Sequence, residues 1–490
     1  MDIPGLAVLA LGAAWVLGVL AGWRRNDRWL TGFVVSAALA GTLTVAVNSW
    51  HWQLVPGYLL LLSASVAAAL DLGHPARLAR PRWRIIASRS MLVLLLGLVL
   101  VLPLWLFPVP RYEKPSGPYQ VGTRAEYWVD SSRTDPFAAG GGPRRLLVQI
   151  WYPADPGPKA ERATSHPEPG VLAKALADTP NGKLPAFLFS AIGRGLTWAY
   201  ANAPASGAER LFPLLVFSHG FGGTRFQNGF QMAELASHGY IIASVEHVGT
   251  AAGSVFPDGA VVNMDSTHAR VLSSDSGATR YADIWAADGE FTVNRMFDLA
   301  RSDPRQTLAG RIDTLHVGYF GHSFGGTTAA NVMAIDRRVL AGINMDGYLA
   351  GTAWEEGLDR PFLQFRSDPI DIETIDEALL EKEGTSRAKL RDLMVDWDHR
   401  SASVLAGGGL NVHVRGTSHM NYSDYPLWSP PLTRMLGMTG SLNYRRAYQI
   451  INTLTLAFFD HYLKGKPEPI LDDPAGRFPE VEVKRFPARR

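Results

Sequence analysis

A serine flanked by glycines stands in the segment "HVGYFGHSFGGTTAANVMA", residues 316–334. The apolar residues before Ser323 predict a buried strand, and the small residues after it predict the start of a helix. A strand, a sharp turn and a helix would lift the Ser323 hydroxyl above the end of a sheet, with Gly321 and Gly325 where larger residues would collide. This setting predicts a nucleophilic serine. A glycine-rich turn without chemistry is the alternative.

A serine hydroxyl is a weak nucleophile near neutral pH and needs a base within hydrogen-bond reach. Histidine suits this role because its ordinary pKa is about 6.5. Among the thirteen histidines, His419 follows the last predicted strand, in "RGTSHMNYSD". His322 is expected to point away from the serine, and His219 to shape a neighbouring turn. His419 is therefore the predicted base, and a surface-loop histidine without a role is the alternative.

Two aspartates compete for the third position of a Ser–Asp–His set. Asp346 ends the strand that follows the serine's helix, and Asp368 ends the next strand, which is the commoner place in folds with this chain order. Spacing alone leaves the choice open. Glu246 and His247 end another predicted strand, where they either line the pocket or form a structural polar pair.

From about residue 111, apolar strands alternate with helical patterns. This alternation predicts a mostly parallel sheet with helices on both faces, and ligand groups at the carboxyl ends of its strands. A charged segment, 371–400, is interpreted as a solvated cover, and 447–465 as a closing helix. The predicted strands lie at 144–153, 212–218, 239–247, 316–320, 338–347, 360–368 and 410–419.

The N-terminal part is far more apolar than the rest. Each of its apolar runs is long enough to cross a hydrocarbon core of roughly 30 Å, and the arginines of the first and third connections favour a cytoplasmic side for those loops. Residues 1–110 are therefore predicted to be a four-helix transmembrane anchor, and 111–490 an extracytoplasmic catalytic domain of an integral membrane protein. A transporter or sensor role is poorly supported, because the runs hold no central ionisable residue. The four runs are about 3–23, 29–48, 54–70 and 91–109.

Composition narrows the function. The formal net charge of the 490-residue chain is only +2, which gives no case for nucleic acid as a partner. The chain has no cysteine, so disulfides, thiolate metal sites and a cysteine nucleophile are excluded. A serine mechanism requires neither metal nor cofactor, and none is expected.

The chain from about 117 to 475 resembles the plasma-type (group VII) platelet-activating factor acetylhydrolases and their bacterial relatives. The segments "GPYQVGT", "FSHGFGG", "ELASHGYIIASVEH", "GHSFGG", "INMDGYL" and "RGTSHMNYSDY" resemble family segments in the same order. The resemblance implies an α/β-hydrolase fold and favours Asp346 over Asp368 as the acid. It also implies that the backbone N–H groups of Phe221 and Phe324 form the oxyanion hole.

The function that the resemblance implies is hydrolysis of short-chain acyl esters, including the sn-2 acyl groups of phospholipids, through an acyl-enzyme. The four apolar runs depart from the secreted enzymes, so lipoprotein association is not implied. Three alternatives remain open at this stage. They are a polyester or small-ester hydrolase, an acyltransferase in which an alcohol replaces water, and a non-catalytic receptor built on a hydrolase fold.

Overall fold

The computed structural model describes residues 52–55, 101–138, 140–179, 182–265, 267–272, 274–369, 371–382 and 384–487. The chain divides into two compact units, Met1–Val109 with Leu184–Ala191, and Pro110–Lys183 with Ile192–Arg490. In the first unit, the ring of Trp52 packs edge-on against Phe107 and Phe187. The domain boundary at residue 110 stays a prediction.

An eleven-stranded mixed sheet runs through the second unit, in the order β15-β14-β13-β12-β11-β7-β8-β2-β1-β6-β3. The pairs β4–β5 and β9–β10 form two small separate sheets. The strands are β1 (Gln120–Thr134), β2 (Pro143–Ala154), β3 (Arg162–Thr164), β4 (Asp178–Thr179), β5 (Gly182–Lys183), β6 (Leu196–Ala201), β7 (Phe212–Ser218), β8 (Ile241–Glu246), β9 (Gly253–Val255), β10 (Val261–Asn263), β11 (Ile312–His322), β12 (Val339–Met345), β13 (Phe362–Arg366), β14 (Gly409–Val414) and β15 (Val481–Phe486).

The centre of the large sheet is parallel and its flanks are mostly antiparallel. Strands β8, β7, β11, β12, β13 and β14 pair in parallel, whereas β2 pairs antiparallel with β8 and β1, and β15 with β14. Strands β7 and β8 are buried along their whole length, as expected where helices cover both faces. The predicted mostly parallel sheet therefore describes the centre, and the whole sheet is mixed.

Helices cover both faces of this sheet and give it two hydrophobic cores. One core joins the sheet to α4, α5 and α8, and the other joins it to α2 and α11. The described helices are α1 (Pro169–Ala177), α2 (Gly229–Ser237), α3 (Thr267–Leu272), α4 (Asp275–Arg301), α5 (Phe324–Ile335), α6 (Thr352–Glu356), α7 (Glu377–Lys382), α8 (Arg387–Leu405), α9 (Tyr425–Trp428), α10 (Pro430–Met435), α11 (Tyr444–Lys464) and α12 (Pro474–Arg477). Short 3-10 helices lie at Trp52–Leu54, Ala186–Arg194, Ile372–Thr374, His419–Tyr422 and Pro469–Leu471.

The structure corrects the prediction of four transmembrane helices, and with it the integral-membrane location. Among the residues that the structure describes, no helix is both long and apolar enough to cross a membrane. A crossing helix needs about 20 mainly apolar residues. The long helices α4 and α11 reach that length, but charged side chains interrupt them. The four apolar runs lie almost wholly outside the described residues. Of the fourth run, residues 101–106 are helical.

Candidate active site

Ser323 occupies a strained turn between β11 and α5. Its backbone has φ 56° and ψ −124°, a conformation that costs free energy for a residue with a Cβ and recurs at functional sites. The close approach of neighbouring chain explains the glycines. A Cβ on Gly321 would lie 2.2 Å from the carbonyl of Gly325, and a Cβ on Gly325 would lie 2.0 Å from the carbonyl oxygen of Ser218. The turn is therefore held by packing that only glycine permits.

Ser323, His419 and Asp346 form one hydrogen-bonded row. The Nε2 atom of His419 lies 2.9 Å from the Ser323 Oγ atom, and its Nδ1 atom lies 2.8 Å from Asp346 Oδ2. The Asp346 side chain is 3 % exposed and that of His419 is 39 % exposed. The row therefore runs from a buried carboxylate to a hydroxyl that substrate can reach. The structure brings these three predicted residues together.

Asp346 is fixed by the end of the neighbouring strand as well as by His419. It follows β12 directly and has a positive φ of 59°, a conformation that aspartate tolerates better than most residues. The Ser367 amide donates to Oδ1 at 2.7 Å and the Ser367 hydroxyl donates to Oδ2 at 2.9 Å. Burial alone would raise the pKa of the Asp346 carboxyl, but these bonds and the bond from His419 hold the pKa below its ordinary value. The carboxylate is therefore ionised at neutral pH.

Asp368, the alternative acid, binds elsewhere. It accepts a hydrogen bond from the His413 ring at 2.9 Å and one from the Gly416 amide at 2.8 Å. Its side chain is 45 % exposed. These contacts tie the end of β13 to the loop that leads from β14 to His419. Asp368 therefore supports that loop and does not contact the imidazole of His419.

The turn after β7 lies against Ser323. A Cβ on Gly220 would be 3.2 Å from the Cβ of Ser323. The Gly220 carbonyl accepts hydrogen bonds from His219 Nδ1 at 2.7 Å and from the Gly223 amide at 2.8 Å. Because a trans peptide is planar, the Phe221 N–H must point the opposite way from this carbonyl. The Phe324 N–H is the first of α5 and so has no acceptor within the helix.

The rings of Phe221 and Phe324, the residues that carry these two amides, pack with Tyr281 and Trp285 in a group of four, the aromatic cluster. The ring of Phe221 stacks on Tyr281 and Trp285 at centroid distances of 6.2 Å and 6.4 Å. Phe324 meets Trp285 edge-on at 5.0 Å and Phe221 at 6.2 Å. Phe221 and Phe324, predicted only for their backbone amides, therefore also supply apolar surface beside Ser323.

A buried polar network supports the turn from behind. The His247 amide donates to His219 Nε2 at 3.1 Å, so the His219 proton lies on Nδ1. Burial lowers the pKa of His219 to about 3, and the ring is neutral. The His247 ring donates through Nδ1 to Asp288 at 3.0 Å, and Asp288 pairs with Arg144 at 2.7 Å. Of the two sequence alternatives for His247, the structural one therefore fits these contacts.

Glu246 is likewise a structural residue. It forms a buried ion pair with Arg225 at 2.9 Å. Sequence reasoning missed two other residues of the site, Ser367 and Asp288. A serine beside the predicted end of β13 was the available signal for Ser367. Nothing in the local sequence pattern marks Asp288, because its partners Arg144 and His247 are distant in the chain. Within the described ranges, no group of His, Asp and Glu side chains is arranged to hold a metal ion.

The sequence matches the family model described as platelet-activating factor acetylhydrolase, isoform II, over residues 107–263 and 287–469. A platelet-activating factor acetylhydrolase of Cavia porcellus is 25 % identical over 374 residues, covering 71 % of this chain and 77 % of the relative. A probable 1-alkyl-2-acetylglycerophosphocholine esterase of Arthroderma benhamiae is 24 % identical over 395 residues, covering 75 % of this chain and 92 % of the relative.

Among solved structures, a ferulic acid esterase from Streptomyces cinnamoneus is similar with a TM-score of 0.59 and 27 % sequence identity. The alignment covers 76 % of this chain and 99 % of that esterase. The sheet and the helices that cover it have the arrangement of an α/β-hydrolase fold. The similar proteins are all named as hydrolases of esters.

Proposed function

Because the chain belongs to the isoform II family of platelet-activating factor acetylhydrolases, a family of ester hydrolases, we propose that Ser323 is its nucleophile, His419 its general base and Asp346 the acid that orients the base. The observation that carries this proposal is the row of hydrogen bonds of 2.9 Å and 2.8 Å through the two nitrogens of His419. Asp346 accepts a hydrogen bond from the Nδ1–H group. The proton therefore stays on Nδ1, and Nε2 is free to take the proton of the serine hydroxyl.

The reaction proceeds through an acyl-enzyme. Ser323 Oγ attacks the ester carbonyl as His419 takes its proton, and the carbonyl oxygen becomes an oxyanion. The amides of Phe221 and Phe324 donate to this oxyanion, and loss of one such donor typically costs about 3–4 kcal/mol of the barrier. His419 then protonates the leaving alcohol. Water repeats the sequence on the acyl group and restores Ser323.

The test of the nucleophile is covalent labelling. A fluorophosphonate probe should label the wild type once per chain, at Ser323, and should abolish ester hydrolysis. Ser323→Ala should not be labelled and should lose activity, whereas Ser302→Ala, a change at the C-terminal end of α4, should be labelled like the wild type. Equal labelling of Ser323→Ala would assign the nucleophile to another residue.

For the substrate, we propose short acyl esters, with the sn-2 acetyl group of a glycerophosphocholine as the first candidate. The similarity to a relative named 1-alkyl-2-acetylglycerophosphocholine esterase supports this class. A panel of p-nitrophenyl esters of increasing acyl length, together with two sn-2-acetyl glycerides that carry and lack the phosphocholine head group, tests it. The expected result is a kcat/KM that falls with acyl length among the p-nitrophenyl esters and is higher for the glyceride with the head group than for the one without it. Equal values with and without the head group would remove the lipid from the proposal.

The aromatic cluster favours a second candidate substrate, an ester of a hydroxycinnamic acid. Flat acyl groups pack well on aromatic faces, and the similar solved structure is a ferulic acid esterase. Methyl ferulate and methyl acetate distinguish the two candidates directly. Phe221→Leu keeps the backbone amide and should lower kcat/KM for the ferulate more than for the acetate if the half-buried ring of Phe221 receives the acyl group. Preference for acetate, unchanged by this substitution, would exclude the second candidate.

A further inference from the structure

A glutamine side chain lies beneath the turn that carries the Phe221 amide. Gln227 is buried, and its Oε1 atom accepts a hydrogen bond from the Gly220 amide at 3.1 Å. A Cβ on Gly223 would lie 2.0 Å from the same oxygen, so the turn is wrapped closely around the glutamine. Since His219 holds the carbonyl of Gly220, both polar groups of this residue are engaged.

The other end of Gln227 reaches a second buried side chain. Its Nε2 atom lies 2.7 Å from His322 Nδ1, and His322 Nε2 lies 3.0 Å from the carbonyl oxygen of His419. Both ring nitrogens of His322 are therefore bonded to groups other than the Ser323 hydroxyl. It contacts the backbone of the residue whose ring faces that hydroxyl.

The donors and acceptors of this chain allow a single arrangement. A backbone N–H can only donate, so the oxygen of Gln227 faces Gly220 and its nitrogen faces His322. A backbone carbonyl can only accept, so the proton of His322 lies on Nε2 and its Nδ1 accepts from Gln227. Burial lowers the pKa of His322 to about 3, and a neutral ring of this tautomer satisfies every group.

We propose that Gln227 and His322 are positioning residues. They hold the turn after β7, residues 219–223 (the oxyanion turn), at a fixed distance from the backbone of His419. This inference rests on the proposed roles of Ser323, His419 and the Phe221 amide. The turn follows β7 and His419 follows β14, so the two come from separate parts of the sheet, with Ser323 between them. A direct chain of hydrogen bonds fixes the base and the oxyanion donor relative to each other without passing through the reacting groups.

The linkage matters most in the transition state, because the oxyanion exists only there. Misplacement of catalytic groups by about 1 Å can lower the rate about a hundredfold. Gln227→Met keeps the length of the side chain and removes its hydrogen bonds to Gly220 and His322, together with a longer one to Asn228 at 3.3 Å. We expect kcat to fall about ten- to a hundredfold with KM little changed. This is the pattern expected when a substitution removes an interaction that is made only in the transition state.

Gln149→Met is the matched control. Gln149 is also buried, in β2, and donates to the Thr123 hydroxyl of β1 at 2.6 Å, away from the turn after β7. It should reduce thermal stability as Gln227→Met does but keep kcat within about threefold of wild type, since no group of the proposed transition-state site moves. His322→Gln retains a donor for the His419 carbonyl and should keep more activity than His322→Phe, which has none.

Nitrogen-15 NMR of histidine-labelled wild-type protein reads the tautomer without any substitution. The proposal requires a protonated Nε2 and an unprotonated Nδ1 on His322, assigned by the signal that His322→Gln removes. A proton on Nδ1, or equal kcat for Gln227→Met and Gln149→Met, would overturn the inference. Either result could accompany normal fluorophosphonate labelling of Ser323, whereas absence of that labelling would overturn the proposed function instead.

Discussion

At the scale of single residues, the acid of the hydrogen-bonded row offers the sharpest distinction between two aspartates. Asp346→Asn replaces the carboxylate by an amide, which favours the wrong tautomer of the His419 imidazole. The same change lowers kcat about 10⁴-fold in a comparable triad, and we expect a similar loss here. Asp368→Asn removes a contact to His413 in a partly exposed pair, and we expect less than a tenfold change, since such pairs contribute about 0–1 kcal/mol. Steady-state kinetics on one ester measure both.

The opposite ranking, with Asp368→Asn the more damaging change, would show that His419 exchanges partners during turnover. Equal activity of both variants would remove Asp346 from the proposed mechanism. Circular dichroism of each variant separates loss of catalysis from loss of fold.

A buried carboxyl outside the proposed catalytic row gives a prediction about pH and stability. Burial raises the pKa of Asp424 to about 7, although hydrogen bonds from Tyr112 and from the amides of Gly229 and Phe230 oppose the rise. In the unfolded chain the pKa is about 3.9. The folded state therefore binds this proton more tightly, and the resulting stability is present below pH 4 and is lost as the pH rises to 7.

The slope from this group is about 1.4 kcal/mol per pH unit between those values. Asp424→Asn should remove that part of the dependence, so that the free energies of unfolding at pH 5 and pH 7 differ less than in the wild type. Urea denaturation at the two pH values measures the effect. Asp473→Asn, which alters an exposed cap of α12, is the control and should keep the wild-type dependence. An unchanged dependence in Asp424→Asn would contradict the prediction.

Some residues of the site are readable from the sequence because their signals are local. Ser323 lies in a glycine pattern forced by backbone crowding, and His419 follows a predicted strand. The choice of Asp346 required family resemblance, since spacing left Asp368 open. Gln227 and Asp288 could not be found, because each contacts partners that are distant in the chain, His322 for Gln227 and Arg144 for Asp288.

At the scale of elements, helix α4 carries the support for the oxyanion turn. Asp288 compensates the charge of the buried Arg144 guanidinium and accepts a hydrogen bond from Nδ1–H of His247. Asp288→Ala would leave Arg144 buried without this partner, a change that costs about 3–5 kcal/mol. Chemical denaturation should show a loss of that size, and activity should fall because the His247 backbone no longer holds His219 in place.

The control lies on the same helix. Asp298 pairs with Arg295 and Arg301 at the surface, and Asp298→Ala should cost less than about 1 kcal/mol. If both substitutions cost the same, the buried network would not support the turn.

The central strands and the closing helix α11 could be predicted because each buries an apolar pattern. Strand β1 was missed. It has polar residues along much of its length and lies in the flank of the sheet, where pairing with β2 defines it. Strand β15 was missed for the same reason. Its apolar residues are separated by charged ones, and pairing with β14 defines its place. Pairing between distant segments leaves little trace in a local pattern.

At the scale of the whole molecule, the sheet ends at β15, and that edge strand covers the strand that leads to His419. It pairs with β14 from Gly409 to Val414, and the Glu480 carbonyl just before it accepts from the Arg415 amide. Truncation after Phe478 should remove several hydrogen bonds of about 1 kcal/mol each and expose an edge prone to aggregation. We expect a lower melting temperature and reduced activity, measured by calorimetry and ester hydrolysis.

Removal of Arg489 and Arg490 alone is the control and should change neither quantity. A truncated protein with wild-type stability and activity would show that β14 holds its place without an edge partner.

The origin of the acid on β12 has a consequence for how such enzymes diversify. Because the carboxylate comes from the end of that strand, the chain between β13 and β14 contributes only Ser367 to the hydrogen-bonded row. The long excursion that follows, with α7 and α8, carries no group of the row. The part of this excursion before α8 is therefore open to lengthening, shortening or exchange by evolution or protein engineering without loss of a group of the row, whereas the end of α8 belongs to the hydrophobic core.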